Sequence, residues 1–201
     1  MATVNLIGLA DHGQRISEDE FENADFEPGY KYELIDGRLY VSYEPDLPEN
    51  SLEEWLNFKL KLYAHSHPDV VNFVSGKARV FVPGHRFTTC PEPDIALYHN
   101  FPHELPVNQR TWRNVAPLLV AEVLVQSDPF KDLVRNVELY RQVPSIREYW
   151  ILDGRETGDQ PTLIVYRRRG RQWLKPREVV YGEKYTTPLL PGFQLVIDPH
   201  R

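Results

Sequence analysis

The fold is decided by three consecutive segments, LLVAEVLVQ (118–126), FKDLVRNVELYRQ (130–142) and REYWILD (147–153). The first and the last are near-continuous apolar runs, which is typical of strands buried on both faces of a sheet. The middle segment has apolar residues at helical spacing, which predicts an amphipathic helix. Strand, helix and strand in this order form a βαβ unit, so we predict a parallel pair of strands in the core sheet.

Elements on both sides of this unit predict an α/β (α+β) domain, with a mixed β-sheet flanked by helices. Ser17 and Glu20 have the spacing of a capping box, which predicts a short helix to about residue 24. Apolar alternation around Asp36-Gly37 predicts a β-hairpin, because this dipeptide supplies the positive φ angles of a tight turn. The other predictions are a loop at 45–48, a helix from residue 50 or 51 to about 65, two short strands in 70–82, a strand after Pro93, a loop with helical turns over 100–117, and strands at 162–168, 172–180 and 193–197.

The composition describes a globular protein of 201 residues with a formal net charge of −6. We expect an acidic leader with a short helix at residues 1–29 and a single domain at residues 30–201. No apolar run approaches the roughly 20 residues of a membrane helix. The amino terminus lacks the features of a signal peptide, and a lone Cys90 excludes a disulfide framework. We therefore expect a cytoplasmic protein that does not associate with membranes.

Charge is distributed unevenly along the chain. Residues 1–29 carry a net charge of −6, and residues 166–177 (YRRRGRQWLKPR) carry +6 with no acidic residue. One interpretation of the basic segment is a solvated hairpin on the surface of an acidic protein. The other is a nucleic-acid contact, in which Tyr166 and Trp173 stack on bases. The basic residues that would contact phosphates are Arg167, Arg168, Arg169 and Arg171.

Two carboxylates fall where a sheet protein normally has apolar residues. Glu122 interrupts LLVAEVLV, and Asp94 stands at the head of the strand PDIALY. Buried carboxylates need compensation for lost hydration, and one hard divalent cation could compensate both. The alternatives are a turn or strand-start role for Asp94 and a buried ion pair with an arginine for Glu122.

The sequence contains weak motifs, or none, for other kinds of functional site. Asp132 and Asn136 are four residues apart on the predicted helix, so their shared polar face either looks into the site or is solvated. The seven histidines fit no zinc motif. The glycine patterns GxGxxG and the P-loop are both missing, which argues against the corresponding nucleotide-binding folds.

Several short motifs, taken in order, resemble a known family. They are Tyr32-Glu33-Leu34-Ile35-Asp36-Gly37, Pro93-Asp94, Glu122-Val123-Leu124, Asp132-Leu133 with Tyr140, and Glu148-Tyr149-Trp150-Ile151-Leu152-Asp153. Together they resemble the bacterial Uma-type family, described as restriction endonucleases within the PD-(D/E)xK nuclease-like superfamily. The resemblance covers about residues 15 to 198.

The resemblance implies a restriction-endonuclease-like core and hydrolysis of phosphodiester bonds in DNA. Asp94 and Glu122 would be the metal-binding and catalytic carboxylates, with Glu33 close to them. Mg²⁺ is the implied ion, with Mn²⁺ as an alternative. Because nucleases that cut both strands often act as two-fold pairs, a homodimer is a further expectation.

The sequence departs from the family pattern at the catalytic lysine. Leu124 occupies the lysine position of the E-x-K motif, and Asn136 occupies the position on the next helix where the family has a substitute lysine. We therefore consider Gln126 or Lys131 as the replacement. Three hypotheses follow: a Mg²⁺-dependent nuclease, a nuclease-fold protein that binds DNA or a protein partner without cutting, and a fold in which Asp94 and Glu122 have only a structural role.

Overall fold

A computed structural model describes residues 6–201 of the chain. The helices are α1 (Glu18–Asn23), α2 (Leu47–Ser66) and α3 (Asn136–Arg141). The strands are β1 (Leu6–Ile7), β2 (Asp25–Phe26), β3 (Tyr30–Ile35), β4 (Arg38–Tyr43), β5 (Phe73–Ser75), β6 (Ile95–Tyr98), β7 (Leu119–Leu124), β8 (Glu148–Asp153), β9 (Thr162–Arg169), β10 (Gln172–Trp173), β11 (Arg177–Val179), β12 (Lys184–Tyr185) and β13 (Leu195–Val196). Within these residues, none of the helices is long and apolar enough to cross a bilayer.

The central sheet is mixed, as predicted. Its strand order is β10-β9-β8-β7-β6-β5, with β11 also paired to β9. The predicted parallel pair is confirmed as β7 and β8, and the other pairs of this sheet are antiparallel. The two parallel strands lie in the middle of the sheet and are almost completely buried, which explains their near-continuous apolar sequences.

Alternating residues of β7 pack into two different apolar layers. Leu119, Ala121 and Val123 contribute to the core beneath α2. Val120 and Leu124 contribute to the core beneath α3. Since side chains alternate along a strand, Glu122 shares the α3 face with these two residues.

Residues 6–29 pack against the β3–β4 hairpin and form a small third core. Phe21 of α1 is fully buried there, and Ser17 and Glu20 form the predicted capping box. The hairpin turn has positive φ at Asp36 (50°) and Gly37 (68°), as its sequence predicts. The first five residues of the acidic leader lie outside the described residues, and the division of the chain at residue 30 stays a prediction.

Four predicted elements differ from the structure. The strand predicted at 172–180 is divided into β10 and β11. The helix predicted from residue 50 or 51 begins at Leu47, because a proline is tolerated in the first helical turn and Pro48 occupies that place. The second strand predicted in 70–82 is extended chain, which bonds to the loop before β6 through Val80 N–H to Pro91 O (3.0 Å). The helix predicted over 130–142 opens with a turn of π-helix at Lys131–Arg135 before α3.

A buried carboxylate fastens the carboxyl-terminal segment to the sheet. Glu148 at the start of β8 is 3% exposed. Its Oε2 accepts hydrogen bonds from Trp150 Nε1 (2.8 Å) and the Tyr185 hydroxyl (3.0 Å), and its Oε1 accepts one from the Thr187 hydroxyl (2.5 Å). Hydrogen bonds from three side chains therefore compensate the burial of the Glu148 carboxylate. Two of these side chains, Tyr185 and Thr187, follow β11 in the chain.

Replacing Glu148 with alanine should lower the stability of the protein. The substitution leaves three buried donors without an acceptor, which should cost about 3 kcal/mol of unfolding free energy. Thermal denaturation should show a midpoint about 6–12 °C lower. Glu178→Ala, which removes an exposed acid from β11, is the matched control. Equal midpoints for the two variants would contradict this role of Glu148.

Candidate active site

Asp94 and Glu122 lie at neighbouring positions of two paired strands. The register pairs Ile95 of β6 with Ala121 of antiparallel β7, so Asp94 comes next to Glu122 at the edge of the pair. The Asp94 Oδ2 atom accepts a hydrogen bond of 2.7 Å from the Val123 amide. Asp94 is 5% exposed and Glu122 is fully buried. The strand pairing thus holds two carboxylates together in the interior.

One oxygen of Glu122 is held by α3 and the other has no hydrogen-bond donor. Asn136 Nδ2 and the Tyr140 hydroxyl, four residues apart on one helix face, each donate to Glu122 Oε1 at 2.8 Å. The Oε2 atom is buried without a hydrogen-bond partner. Asn136 Nδ2 also lies 3.2 Å from Asp132 Oδ1, so this amide joins two acids. The arrangement fixes the orientation of the Glu122 carboxylate.

Lysine side chains supply the charge that faces the two acids. Lys31 of β3 forms an ion pair with Asp94. Lys131 Nζ lies 3.6 Å from Glu122 Oε2 and 3.8 Å from Asp132 Oδ1. The ion pair considered for Glu122 therefore exists, but its partner is a lysine and not an arginine.

The π-helical turn explains why Lys131 reaches Glu122. Residues five apart on an α-helix point about 140° away from each other. In the π-turn the Asn136 N–H bonds to the Lys131 carbonyl, which brings residues i and i+5 to the same side. Lys131 and Asn136 consequently both contact the Glu122 carboxylate, one through each oxygen.

Glu33 belongs to the same charged network. It is 5% exposed, accepts a 2.6 Å hydrogen bond from Arg135 Nη2 and accepts a second from the Glu92 amide (3.2 Å). Burial alone would raise the pKa of Glu33, but the charges of Lys131 and Arg135 outweigh it and hold this pKa below its usual value. Glu33 is therefore an ionised neighbour of the site.

The carboxyl groups of the site differ in their affinity for protons. Burial would raise the pKa of Asp94, but Lys31 and Lys131 outweigh it and keep that pKa below its usual value. Burial raises the pKa of Glu122 well above its usual value, and the nearby acids add to this effect. Burial likewise raises the pKa of Asp132 to about 7. Asp94 is therefore ionised, whereas the neighbouring Glu122 loses its proton only when positive charge compensates the resulting negative charge.

The lysines remain charged in this environment. Burial alone would lower the pKa of Lys131, but the carboxylates of Glu122, Glu33 and Asp132 outweigh it and raise this pKa well above its usual value. The pKa of Lys31 is raised as well, since the charge of Asp94 outweighs the effect of burial. The site therefore holds two ammonium groups against its acids.

A cleft gives access to Asp94 and Lys131 from the surface. Its volume is about 530 Å³, and its walls include Lys31, Glu49, Gln126 and Ser127. Gln126 is exposed and lies on this wall, and the Ser127 hydroxyl donates to Glu49 Oε1 at 3.0 Å. Of the predicted site residues, Glu33, Asp94 and Glu122 therefore share one network, and Gln126 lies at its entrance.

Mg²⁺ prefers oxygen ligands, and the two buried carboxylates are the acids of the site that could supply them. Within residues 6–201, no three His, Cys, Asp or Glu side chains are grouped to hold a metal ion. Mg²⁺ in nucleotide-processing sites is commonly held by only one or two carboxylates, with waters and substrate phosphates completing its shell. Asp94 and Glu122 stand at neighbouring positions of paired strands, and Glu122 Oε2 has no hydrogen-bond partner, so the chemistry of this donor set suits this mode.

The arginine segment lies at the other end of the sheet. In the register, Arg167 pairs with Glu148, which pairs with Leu119, whereas Glu122 pairs with Ile151. Arg167 is thus three residues, about 10 Å, along the strands from the level of Glu122, and two strands to the side. The arginine segment and the acids Asp94 and Glu122 therefore lie at separate places on the sheet.

Members of the segment also differ in their exposure. Arg167, Arg169 and Arg171 are exposed. Arg168 donates to three carbonyl groups at the end of α3, those of residues 140, 141 and 143, each at 3.0 Å. The indole of Trp173 donates to the Val137 carbonyl (2.8 Å), so this ring packs against α3.

Lys31 and Tyr140 contribute to the site, although the sequence interpretation gave neither of them a role in it. Lys31 stands two residues before Glu33 on a strand, and alternation alone places both side chains on one face. Tyr140 stands four residues after Asn136, and on a helix this spacing places both side chains on one face. Their charged and hydroxyl groups could have been assigned to the site from spacing.

Comparisons with known proteins agree with the fold. The model of the Uma2 family, described as "Putative restriction endonuclease", matches residues 18–198. A solved structure, described as "a putative nuclease belonging to DUF820 from Anabaena variabilis ATCC 29413", superposes with a TM-score of 0.64 and 16% sequence identity. The match covers 90% of this chain and 95% of that chain, and at this identity it shows the fold alone. No curated protein matches the chain.

The raised pKa of Asp132 should make stability depend on pH in the metal-free protein. The folded pKa of about 7 exceeds the ordinary 3.8, so the folded state binds this proton more tightly than the unfolded state. The unfolding free energy of the wild type should therefore fall, relative to Asp132→Asn, as pH rises from about 4 to 7, by on the order of 4 kcal/mol at most.

Denaturant titrations in EDTA across this pH range measure the difference. Asp128→Asn, a change at an exposed position nearby, is the control and should give a curve parallel to the wild type. A wild-type curve that also runs parallel to Asp132→Asn would contradict the tighter proton binding of the folded state.

Proposed function

The chain belongs to the Uma2 family, and from this premise we propose that it is a metal-dependent nuclease that hydrolyses phosphodiester bonds in DNA. One observation carries the proposal: Asp94 and Glu122 are adjacent, and the Oε2 atom of Glu122 has no hydrogen-bond partner although it is buried. An unpartnered carboxylate oxygen costs free energy unless a ligand compensates it. A divalent cation is the ligand that the family and the donor set favour.

Asp94 and Glu122 are the residues that would hold the ion. A bound Mg²⁺ would neutralise charge on the phosphate and lower the pKa of water for attack on phosphorus. Asn136 and Tyr140 orient Glu122 by donating to Oε1, which leaves Oε2 directed away from them. The Val123 amide does the same for Asp94 through Oδ2. Mn²⁺ would suit the same oxygen ligands.

Lys131 is the residue that we propose in place of the missing family lysine. Asn136 cannot take this role, because its amide is neutral and is bonded to Glu122 and Asp132. Lys131 is charged, lies 3.6 Å from Glu122 Oε2 and lines the cleft. Its ammonium would stabilise negative charge that develops on the phosphate oxygens. Gln126, on the wall of the same cleft, is left as a polar contact for substrate.

Glu33 acts as a positioning residue in this proposal. Its carboxylate holds Arg135 at 2.6 Å, and Arg135 Nε in turn donates to Asn136 Oδ1 at 3.1 Å. Because the Asn136 oxygen is fixed by this contact, its NH₂ group is turned toward Glu122 and Asp132. Glu33 thus influences the metal-binding carboxylate through two intervening side chains.

The arginine segment would serve as a second, distant contact with DNA. Arg167, Arg169 and Arg171 are exposed and can approach phosphates without breaking a contact in the core. Arg168 is excluded from this role because its guanidinium binds the carbonyl groups at the end of α3. Cleavage of both strands would require two active sites, so the homodimer also stays part of the proposal.

A protein that binds DNA without cutting is the second candidate. The observation in its favour is that both acids already face lysines, Asp94 through Lys31 and Glu122 through Lys131, while Asn136 replaces the helix lysine. Such pairing compensates the buried charges in the absence of a metal ion. If Asn136→Lys confers cutting on an inactive wild type, this second candidate is favoured.

The nuclease proposal predicts nicking of supercoiled plasmid in Mg²⁺ or Mn²⁺. Asp94→Asn and Glu122→Gln remove metal-binding charge and should slow nicking by at least about 100-fold. Lys131→Met keeps the length of the side chain but removes its charge, and should slow nicking by a similar factor. Gel analysis of relaxed and linear products measures the rates.

The matched control for this series is Glu138→Gln, an exposed acid on α3. It should nick at the wild-type rate. No nicking by the wild type in either metal, or equal nicking by the wild type and Asp94→Asn, would contradict the proposal and favour the binding protein.

The basic segment predicts a salt-dependent contact with DNA. Replacing Arg167, Arg169 and Arg171 together with alanine should weaken binding and flatten the slope of log affinity against log salt by up to about 3 units. Electrophoretic mobility shifts in EDTA at several salt concentrations measure this slope. Lys184→Ala removes one exposed charge elsewhere and is the control. An unchanged slope in the triple variant would contradict the contact.

A further inference from the structure

The π-turn at Lys131–Arg135 changes the hydrogen bonding of the backbone at the active site. On a regular α-helix the Asn136 N–H would bond to the carbonyl of Asp132, four residues before it. Here it bonds to the carbonyl of Lys131, five residues before it. The Asp132 carbonyl thereby loses the amide that a regular helix would supply. This carbonyl is buried, and a buried carbonyl without a donor is costly.

The hydroxyl of Tyr149 supplies the missing donor. Tyr149 of β8 is fully buried, and its Oη atom donates to the Asp132 carbonyl oxygen at 2.9 Å. Burial, followed by the charges of nearby carboxylates, raises the pKa of Tyr149 well above its usual value, so the hydroxyl keeps its proton. A side chain of the central sheet therefore pairs the carbonyl that the π-turn releases.

Packing holds the ring of Tyr149 in place. The ring lies edge-on to that of Tyr140, with centroids 5.0 Å apart, and stacks on that of Tyr166 at 5.8 Å. All three rings belong to the apolar layer between the sheet and α3. The position of the hydroxyl is therefore set by the core and does not depend on the π-turn itself.

The helix that follows the π-turn is fixed by other contacts. The indole of Trp173 and the guanidinium of Arg168 donate to backbone carbonyls of α3 and of the residue that follows its end by two positions. The start of the segment is less constrained, because the side chain of Phe130 is exposed. A change from π-turn to regular α-helix would therefore rotate the segment that begins at Phe130 and leave α3 in place.

Lys131 would leave Glu122 in such a rotation. Removing the extra residue of a π-turn rotates the residues before it by about 100°, which is the step of one residue on an α-helix. Lys131 would then stand five positions before Asn136 on a regular helix and point to another side. The approach of Lys131 Nζ to Glu122 Oε2, at 3.6 Å, thus depends on the π-turn.

We propose that Tyr149 is a positioning residue of the nuclease, whose hydroxyl maintains the π-turn and thereby keeps the Lys131 ammonium beside Glu122. The inference rests on the proposed function, in which Lys131 replaces the family lysine. Tyr149 acts through the backbone, since its hydroxyl bonds to a main-chain carbonyl. The alternative is a tyrosine that only fills the core, and the two roles predict different results.

NMR of the metal-free full chain tests the backbone step without hydrolysis. Scalar couplings across hydrogen bonds identify the carbonyl that accepts from the Asn136 amide. This carbonyl should be that of Lys131 in the wild type and that of Asp132 in Tyr149→Phe. Tyr166→Phe removes a hydroxyl from the ring stacked on Tyr149 and is the matched control, which should keep the wild-type coupling. A coupling to Lys131 that persists in Tyr149→Phe would overturn the proposal.

Plasmid nicking in Mg²⁺ or Mn²⁺ tests the consequence for Lys131. Tyr149→Phe should slow nicking at least about tenfold, because the buried carbonyl then favours the regular helix. The same change in a Lys131→Met background should have no further effect, since no ammonium is left to position. Equal slowing in both backgrounds would assign Tyr149 to the core alone and overturn the proposal.

Deletion of Val134 should make the Tyr149 hydroxyl unnecessary. The Val134 side chain is about half exposed, so its loss removes little packing. Without it, Lys131 stands four residues before Asn136, and a regular α-helix places both on one face. Tyr149→Phe added to the deletion should therefore nick as fast as the deletion alone. A tenfold loss that persists in the deletion background would contradict the positioning role.

The failure of this inference can be told from the failure of the nuclease function. Nicking by the wild type, with an unchanged rate in Tyr149→Phe, would overturn the inference and leave the nuclease standing. A wild type that does not nick would contradict the nuclease. The acceptor of the Asn136 amide in Tyr149→Phe would then decide alone whether Tyr149 maintains the π-turn.

Discussion

Two carboxylates buried next to each other in a β-sheet need compensating charge, and the structure around Asp94 and Glu122 is arranged to provide it. Each acid is placed by backbone geometry: Asp94 by its bond to the Val123 amide, and Glu122 by its position in a fully buried strand. Lys31 comes from the hairpin and Lys131 from the segment before α3. The hairpin, the sheet and the helix are therefore held together partly by the electrostatics of this pair.

The same compensation bears on the proposed metal site, because it would keep the protein folded when no ion is bound. Lysines at the two acids lower the cost of burial when no cation is bound. They also leave Glu122 Oε2 without a hydrogen bond, since Lys131 lies 3.6 Å away. With the two acids compensated by a bound ion, Lys31 and Lys131 would be available to stabilise negative charge on a phosphate. Structural and proposed catalytic roles thus use the same side chains.

Much of the fold could be predicted because its signals are local. The parallel pair β7–β8 follows from two apolar runs around a helix, and the hairpin turn follows from Asp36-Gly37. Asp94 and Glu122 could be singled out because a carboxylate in an apolar strand is costly whatever its partners are. These features can be predicted from the periodicity of a single segment and the chemistry of a single residue.

The pairing of charges could not be predicted from periodicity, because it depends on tertiary structure. Lys131 and Asn136 would point in different directions on a regular α-helix, and only the π-turn brings both to Glu122. Arg168 belongs to a run of like residues, yet it alone binds the end of α3. Lys31 reaches Asp94 across 63 positions of sequence. Each of these contacts depends on how separate elements pack together.

Calorimetric titration of the metal-free protein with Mn²⁺ tests the central claim most directly, because it measures ion binding without requiring hydrolysis. If Asp94 and Glu122 form the metal site, the wild type should show a saturable binding heat, and both Asp94→Asn and Glu122→Gln should lose it. Glu138→Gln, with an exposed acid removed, should titrate like the wild type. Binding heat that persists unchanged in both site variants, or that is absent from the wild type, would contradict the account.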